Sequence, residues 1–359
     1  MDGQETEVTK SAGMPEAPSA IDTEEIASVL SHYDIGEIRS IRVYPRGSRK
    51  APKALVEAGI GSLILKRRGP GRDDPRRIVF EHAVHERLSE SGYPVVEIIR
   101  SARSRSTVVR AGSGIYELFR YVKASRCDGS REALESCGRG LAMLHDTLRD
   151  FKHRPPGVHG FHAVPDLAGH LERYAETLRS STRQACDDLM LGYQLASAEV
   201  DALGWSDWPC TIVHGDWHPG NVLFGPDGHL AAVLDFDAAR REPRVSDLAA
   251  AVLHFGRYVN SKRQGDESIW PVDLDLEAAG WLVGGYAKAA ADPLRGTELA
   301  AIPALIVEAV VLETMPPMIR DGHFGPHESK SFLPMVVKSI REIQRQSGRL
   351  IASMRAMVE

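Results

Sequence analysis

Four residues within one short part of the chain have the types and the spacing that phosphoryl transfer needs. His214, Asp216 and Asn221 lie in the segment His-Gly-Asp-Trp-His-Pro-Gly-Asn, and Asp235 follows Asn221 by fourteen residues. In a phosphotransfer centre of this order, a His, one residue, an Asp, four residues and an Asn form the catalytic loop, and a later Asp holds Mg²⁺. The spacing therefore predicts a site that moves a phosphoryl group. The alternative is a surface loop that contains a chance Asp and His.

The chain between Asn221 and Asp235 has the pattern of a β-hairpin. Residues 221–224 and 229–234 are apolar strand candidates, and Gly-Pro-Asp-Gly at 225–228 is a turn sequence. Such a hairpin carries Asn221 and Asp235 to one end, where an oxygen of each could reach the same metal ion.

Two features of the loop then point to a family. Gly215 stands where protein kinases usually have Arg, and the loop ends in His-Pro-Gly-Asn. In both respects it resembles the aminoglycoside phosphotransferase, choline kinase and homoserine kinase-like superfamily. The resemblance implies that Asp216 is the catalytic base, that Asn221 and Asp235 are Mg²⁺ ligands, and that ATP is the co-substrate. It also implies an α+β, protein-kinase-like two-lobe fold, with a small antiparallel β N-lobe and a larger, mainly helical C-lobe.

Composition agrees with a globular enzyme of this size. The chain has 359 residues, 43% of them hydrophobic and 26% charged, and its length allows two packed units. Its acidic, polar start argues against a secretory signal, and no apolar run looks long enough to span a bilayer. The four cysteines lack Cys-x-x-Cys spacing, so we expect free thiols that mostly pack in the interior, and a cytoplasmic protein.

Charge is distributed unevenly along the chain. Residues 37–110 carry 17 Lys and Arg against 8 Asp and Glu, or +9, and the total of −5 leaves −14 for the rest. A basic first part could favour an anionic nucleotide and an acidic second part a cationic acceptor, although charge runs more often indicate only a solvated surface. The arginines have few aromatic neighbours, so we expect neither nucleic acid nor membrane as a partner.

The predicted elements follow the order that the resemblance implies. Residues 1–20 have the composition of a disordered tail, 21–122 form the nucleotide-binding N-lobe, and 123–359 form the C-lobe with the catalytic loop and acceptor-binding helices. Strands are predicted at 38–44, 54–57, 62–66, 95–100, 106–111 and 115–122. Helices are predicted at 22–30, 75–91, 132–148, 167–178, 246–258, 276–289, 298–316 and 331–358.

The nucleotide-binding residues are expected in the N-lobe and on its helix. Lys66 ends a predicted strand, as does the lysine that pairs with nucleotide phosphates in the kinase signature, whereas its rivals Lys50 and Lys53 lie in or beside a turn-rich segment. Glu81 shares the buried stripe of the following helix and is the candidate ion-pair partner of Lys66. Gly47 and Ser48 occupy the position of the loop over the phosphates, although an ordinary hairpin turn is an equal alternative.

For two acidic residues and one helix motif, the sequence suggests roles other than the catalytic base. Asp247 matches an Asp that braces the catalytic loop in these folds, and it is also a helix-start residue. The Leu-Ala-Met-Leu-His motif at 141–145 is interpreted as core packing. Asp237 either contacts a second metal or accepts local hydrogen bonds.

The resulting function hypothesis is an ATP- and Mg²⁺-dependent phosphotransferase that acts on a hydroxyl of a small molecule. The acceptor classes considered are an aminoglycoside, an amino alcohol, a hydroxy amino acid and a sugar-like compound. The alternatives are a catalytically silent nucleotide-binding module and a protein Ser/Thr kinase. A zinc hydrolase built on His214 and His218 is disfavoured because a His-Glu-x-x-His motif is absent.

Overall fold

The computed structural model describes residues 22–45, 51–155, 157, 160–264, 273–325 and 327–359. The predicted tail, residues 1–20, lies outside these ranges. The strands are β1 (Ser40–Val43), β2 (Lys53–Ala58), β3 (Gly61–Arg67), β4 (Val109–Ala111), β5 (Gly114–Arg120), β6 (Cys210–Val213), β7 (Val222–Phe224), β8 (Leu230–Val233), β9 (Arg240–Pro243), β10 (His323–Phe324) and β11 (His327–Glu328). The helices are α1 (Thr23–Leu30), α2 (Pro75–Glu90), α3 (Arg131–Thr147), α4 (Leu167–Glu176), α5 (Ser180–Ala202), α6 (Val245–Gln264), α7 (Leu276–Ala289), α8 (Gly296–Asp321) and α9 (Ser329–Val358).

Contacts divide the chain into two compact units. The smaller comprises the described residues up to Asp74 together with Glu97–Tyr121, and the larger comprises Pro75–Val96 and the described residues from Val122 onward. The chain passes from the smaller to the larger unit between Tyr121 and Val122, and α2 belongs to the larger unit. The reason is packing, because Phe80, Val84 and Leu88 of α2 lie in the core of the larger unit. The predicted lobes, 21–122 and 123–359, stay a prediction.

The smaller unit is built on a five-stranded antiparallel sheet in the order β1-β2-β3-β5-β4. Alternate residues of its strands point into one apolar core, and α1 adds Ile26, Val29 and Leu30 to the same core. The predicted small antiparallel sheet is therefore confirmed. The segment 95–100 was wrongly predicted as a strand, since Val95 and Ile98 form only isolated bridges.

The larger unit is mainly helical, as predicted. Helices α3 and α7 cross with their backbones in contact at two glycines, because a Cβ on Gly138 would collide with Leu282 O and one on Gly285 with Glu135 O. Helix α5 was not predicted. Its apolar side chains are spread around the helix, with Leu189 and Tyr193 buried and Leu191 and Leu195 exposed, so no single stripe marks it in the sequence.

Helix α8 differs from its prediction in length and in apolarity. It continues through Pro316 and Pro317 to Asp321 rather than ending at Pro316. By length and composition it could span a membrane, contrary to the prediction that no apolar run is long enough, but 78% of its most apolar window is buried inside the protein. Such burial is typical of a core helix.

The cysteines are free thiols, as predicted. Cys127, Cys137 and Cys186 are buried and Cys210 is exposed. Burial raises the pKa of Cys127 and of Cys186 to about 11, which keeps both thiols protonated at neutral pH.

Candidate active site

The catalytic loop runs from the end of β6 to the start of β7, and His214 ties it to the hairpin. The His214 side chain is buried. Its Nδ1 accepts a hydrogen bond from the backbone N–H of Asp216 at 3.2 Å, so the proton of the neutral ring lies on Nε2, which donates to the Leu234 carbonyl at 2.9 Å. The side chain thereby links the backbone of Asp216 to the residue that precedes Asp235.

The Asp216 carboxylate is held through one of its two oxygens. Its Oδ2 accepts from Asn221 Nδ2 at 3.0 Å and lies 3.4 Å from His218 Nε2. His218 Nδ1 accepts from the Gly220 N–H at 2.9 Å, which leaves Nε2 as the protonated nitrogen that faces the carboxylate. Within the part of the chain that the structure describes, Asp216 Oδ1 accepts no hydrogen bond. The side chain is 45% exposed, so a hydroxyl group of water or of a substrate can donate a hydrogen bond to Oδ1.

The electrostatics of the loop keep Asp216 ionised. Burial raises the pKa of this carboxyl, but the hydrogen bond from His218 and the electrostatic influence of the nearby His218, His214 and His254 rings outweigh it and lower the pKa to about 2. A carboxylate with this pKa binds protons weakly at neutral pH. It is suited to orienting an acceptor hydroxyl and to taking its proton late in the transfer.

Asn221 and Asp235 lie together at the end of the hairpin, as predicted. Strands β7 and β8 pair in the register Val222 to Val233, and the Leu234 N–H donates to Asn221 O at 2.9 Å. The Asn221 nitrogen faces two acceptors, Asp216 O and Asp216 Oδ2, both at 3.0 Å, which turns the amide oxygen away from them. An amide oxygen and a carboxylate at one hairpin end are hard ligands that fit Mg²⁺.

Asp235 also has an unusual backbone. Its φ is +60°, in the left-handed region that non-glycine residues rarely adopt. Strained backbone of this kind is concentrated at functional sites, where the surrounding structure maintains it. The conformation supports a functional role for Asp235, although its metal ligation stays a prediction.

We expect Asp235→Asn to separate charge from conformation. Asn tolerates positive φ, so the melting temperature should stay close to wild type, whereas loss of a charged ligand should raise the Mg²⁺ concentration for half-maximal activity at least about tenfold. Activity titrated with Mg²⁺ measures the shift, and Asp227→Asn in the exposed turn of the same hairpin is the control. An unchanged Mg²⁺ requirement would contradict the assignment.

Asp247 holds the backbone of the catalytic loop through hydrogen bonds. Its side chain is buried and accepts from the N–H groups of His214 at 2.6 Å and Gly215 at 2.8 Å. Gly215 has a φ of +79°, and a Cβ there would collide with Ala238 O and Arg240. The glycine is therefore required by both conformation and space, and the predicted bracing contact of Asp247 is present.

The brace extends into the helices through His145. His145 Nε2 lies 3.1 Å from Asp247 Oδ2, and its Nδ1 lies 2.8 Å from the Tyr286 hydroxyl. The Arg244 guanidinium lies over the Tyr286 ring at 6.0 Å and makes a buried two-point ion pair with Glu298 at 2.9 and 3.0 Å. The predicted core packing of the motif at 141–145 is confirmed by the burial of Leu141, Ala142 and Leu144, and His145 also belongs to a hydrogen-bonded network.

Helix α2 contacts the segment after Asp235 through Arg77, which the sequence analysis did not identify. Arg77 Nε donates to Asp237 O at 3.0 Å and lies 3.2 Å from Glu81 Oε1. Glu81 is buried, as its place on the apolar stripe predicts. Arg77 stands four residues before Glu81 on the same helix face, which is the signal that could have revealed it. The Asp237 carbonyl thus accepts a hydrogen bond from a residue 160 positions away in the chain, and the two roles considered for its side chain stay predictions.

Lys66 belongs to the smaller unit, where it lies on β3 and is half-buried. Its register neighbours are Lys53 on β2 and Glu117 on β5, and Glu117 accepts from Arg68 at 2.6 Å in a buried pair. Lys53 thus lies on a strand rather than in a turn-rich segment. Residues paired across an antiparallel ladder share a face, so Lys53 and Lys66 place two cations on one face of the sheet, which suits an anionic ligand. Gly47, Ser48 and Lys50 lie outside the described residues, and the role of Lys66 stays a prediction.

Comparisons with known proteins agree with this geometry. Residues 41–291 match the phosphotransferase enzyme family. A homoserine kinase of Caulobacter sp. (strain K31) is 27% identical over 297 residues, which cover 79% of this chain and 82% of that protein. A homoserine kinase of Methylocella silvestris is 24% identical over 292 residues, covering 78% and 80% of the two chains.

Two solved structures are similar in fold. The structure of a microcompartment-associated aminopropanol kinase has a TM-score of 0.68 at 18% identity and covers 92% of this chain and 98% of that one. An amicoumacin kinase in complex with AMP-PNP, Ca²⁺ and Ami has a TM-score of 0.66 at 16% identity, with 89% and 93% coverage. These likenesses confirm the predicted α+β, protein-kinase-like fold.

The family match also confirms the resemblance inferred from the catalytic loop. It extends from β1 to the end of α7 and so includes α2, the loop, the hairpin and the Asp247 brace. The chain therefore belongs to the phosphotransferase enzyme family and is a small-molecule kinase.

Proposed function

We propose that this kinase transfers the γ-phosphate of Mg-ATP to a hydroxyl group of a small molecule. The observation that carries the proposal is the Asp216 carboxylate, which is held through Oδ2 by Asn221 and His218 while its side chain remains 45% exposed. A carboxylate fixed in this way can orient a hydroxyl for in-line attack.

Each residue then has a defined part in the transfer. Asp216 Oδ1 accepts the hydrogen bond of the acceptor hydroxyl and receives its proton as the hydroxyl oxygen bonds to the γ-phosphorus, while the bond from that phosphorus to the bridging oxygen breaks and ADP leaves. Asn221 and Asp235 would hold Mg²⁺, which when bound neutralises charge on the transferred phosphoryl group. Lys66, with Glu81 as its expected partner, would bind the α and β phosphates, and Gly47 and Ser48 would cover them.

The acceptor that fits best is an alcohol that carries an amino group. The residues outside 37–110 carry a charge of −14, which favours a cationic substrate. Relatives described as homoserine kinase and aminopropanol kinase take their names from acceptors of this kind. We propose a cytoplasmic enzyme without a nucleic-acid or membrane partner. A protein substrate is less suitable, because β9 and the start of α6 follow Asp235 within ten residues, which leaves no long activation segment.

A direct transfer assay tests the function. Purified protein with Mg-ATP is incubated with homoserine, amino alcohols, aminoglycosides and hydroxylated metabolites that lack an amine, and products are read by a mass gain of one phosphate. We expect turnover with at least one amine-bearing alcohol. Binding of Mg-ATP without transfer to any acceptor would favour the catalytically silent module, and transfer to generic protein substrates would favour a protein kinase.

A further inference from the structure

His254 and Glu313 form a pair next to the catalytic loop, and the transfer described above assigns no role to either residue. His254 on α6 places Nε2 at 2.8 Å from Glu313 Oε1 on α8. Both side chains are mostly buried, with 23% and 22% exposed. A mostly buried His and Glu at this distance form a charge-assisted hydrogen bond, which fixes the orientation of the His254 ring.

The His254 ring continues this contact to the catalytic loop. Its centroid lies 5.9 Å from that of His218, and the rings meet at 64° in an edge-on arrangement. His218 is itself held by the Gly220 N–H on one nitrogen and faces Asp216 with the other. Glu313, His254, His218 and Asp216 thus form an unbroken series of contacts within the larger unit.

We propose that the His254–Glu313 pair is a positioning element for the catalytic carboxylate, in which Glu313 fixes His254, His254 supports the His218 ring, and His218 orients Asp216. The inference rests on the proposed function, since Asp216 matters only if the protein transfers phosphate. It assigns a role in turnover to two residues that lie on different helices and outside the catalytic loop.

The charges that face His254 favour its protonated form. Burial lowers the pKa of His254, but the charge and hydrogen bond of Glu313 and the charge of Asp216 outweigh burial and the repulsion of Arg257, and the net pKa is raised. Glu313 comes from α8, Asp216 and the adjacent His218 from the catalytic loop, and Arg257 from α6 itself. The protonated ring therefore adds positive charge beside His218, the residue that faces Asp216 Oδ2.

Glu313→Gln tests this role, because Gln retains the acceptor oxygen but removes the charge. Without Glu313 the pKa of His254 falls, so His254 loses its proton at a lower pH than in the wild type. We expect kcat to fall about tenfold at pH 8, with the loss shrinking toward pH 6 as His254 regains its proton, and the KM values for ATP and acceptor to stay within about twofold.

The same helix supplies a matched control. Glu308 on α8 lies 3.1 Å from His162 Nδ1. Burial lowers the pKa of His162, but Glu308 and Asp201 outweigh it, so the net pKa is raised. Among the described residues, the hydrogen bonds, ion pairs and ring contacts of this pair go to Ser197, Asp201 and Trp205 rather than to the catalytic loop. Glu308→Gln should lower the melting temperature and leave kcat unchanged below the unfolding transition. An equal loss of kcat in both variants, or an increase in acceptor KM alone for Glu313→Gln, would overturn the positioning role.

A readout without substrate separates this inference from the proposed function. Imidazole nitrogen resonances of the full-length protein report the tautomer and environment of His218 and the charge of His254. We expect Glu313→Gln to move the signals of both rings and Glu308→Gln to move neither. Unchanged His218 signals in Glu313→Gln would overturn the inference even if the wild type phosphorylates an acceptor, whereas a wild type without transfer activity would contradict only the proposed function.

Discussion

Replacement of Asp216 by Asn should lower kcat by about 10²- to 10⁴-fold, the range found when a positioned general base is removed. Asn has nearly the same shape as Asp, so its side chain can still lie between Asn221 and His218 and accept a hydrogen bond through its amide oxygen. The amide cannot accept the hydroxyl proton, and it loses the charge that orients the acceptor. Because Asp216 acts on the acceptor rather than on the nucleotide, affinity for Mg-ATP should stay within about threefold.

Initial rates with the acceptor found by the mass assay measure the loss, and nucleotide binding is measured by calorimetry on the same preparations. Asp227→Asn is the matched control, since Asp227 lies in the exposed turn of the same hairpin and its Oδ1 accepts a hydrogen bond from the nearby N–H of His229 at 3.1 Å. The control should retain wild-type rates. An Asp216→Asn protein that keeps more than about a tenth of wild-type kcat would remove Asp216 from the role of base.

Local sequence signals were sufficient wherever a structure is determined by neighbours in the chain. The turn at 225–228 and its apolar flanks predict the hairpin, and the register of β7 and β8 confirms it. Pro75 at the start of α2 and Gly92 just beyond its end, with a φ of +75°, mark that helix in the way the sequence indicates. In these cases the conformational preferences of Pro and Gly act over a few residues and need no distant partner.

Two contacts between residues far apart in the chain were not predicted from the sequence. His145 pairs with Asp247 across 102 positions and Arg77 binds the Asp237 carbonyl across 160. Periodicity shows that each of these residues lies on a buried face, but the choice of partner depends on how the helices pack. The same holds for His254 on α6 and Glu313 on α8, because their pairing depends on how these two helices pack.

Helix α8 shows a local rule overridden by tertiary packing. Pro316 and Pro317 each remove a backbone donor, and the sequence therefore predicts a helix end. The helix nevertheless continues to Asp321, and Met315 and Met318 on either side of the prolines are buried in the core. Burial of these side chains offsets the lost helical hydrogen bonds.

The second large effect is expected at Asp247, where Ala should lower the free energy of unfolding by about 3 to 5 kcal/mol, as for a broken buried ionic contact. The substitution removes the acceptor for the His214 and Gly215 N–H groups and leaves His145 without its carboxylate. Buried donors without an acceptor are costly, and the loop that carries Asp216 loses its support. Activity should therefore fall together with stability.

Denaturant unfolding measures the stability change, and Asp292→Ala is its matched control, since Asp292 is 58% exposed and its carboxylate pairs with the surface residue Arg149. Such exposed pairs contribute at most about 1 kcal/mol. Asp247→Asn gives an intermediate case that should still fold, because its remaining oxygen can accept one of the two backbone hydrogen bonds while the amide nitrogen faces the other donor. The expected order of stability is wild type and Asp292→Ala, then Asp247→Asn, then Asp247→Ala. If Asp247→Ala unfolded at the wild-type denaturant concentration, the catalytic loop would have to be supported by His214 and the hairpin alone.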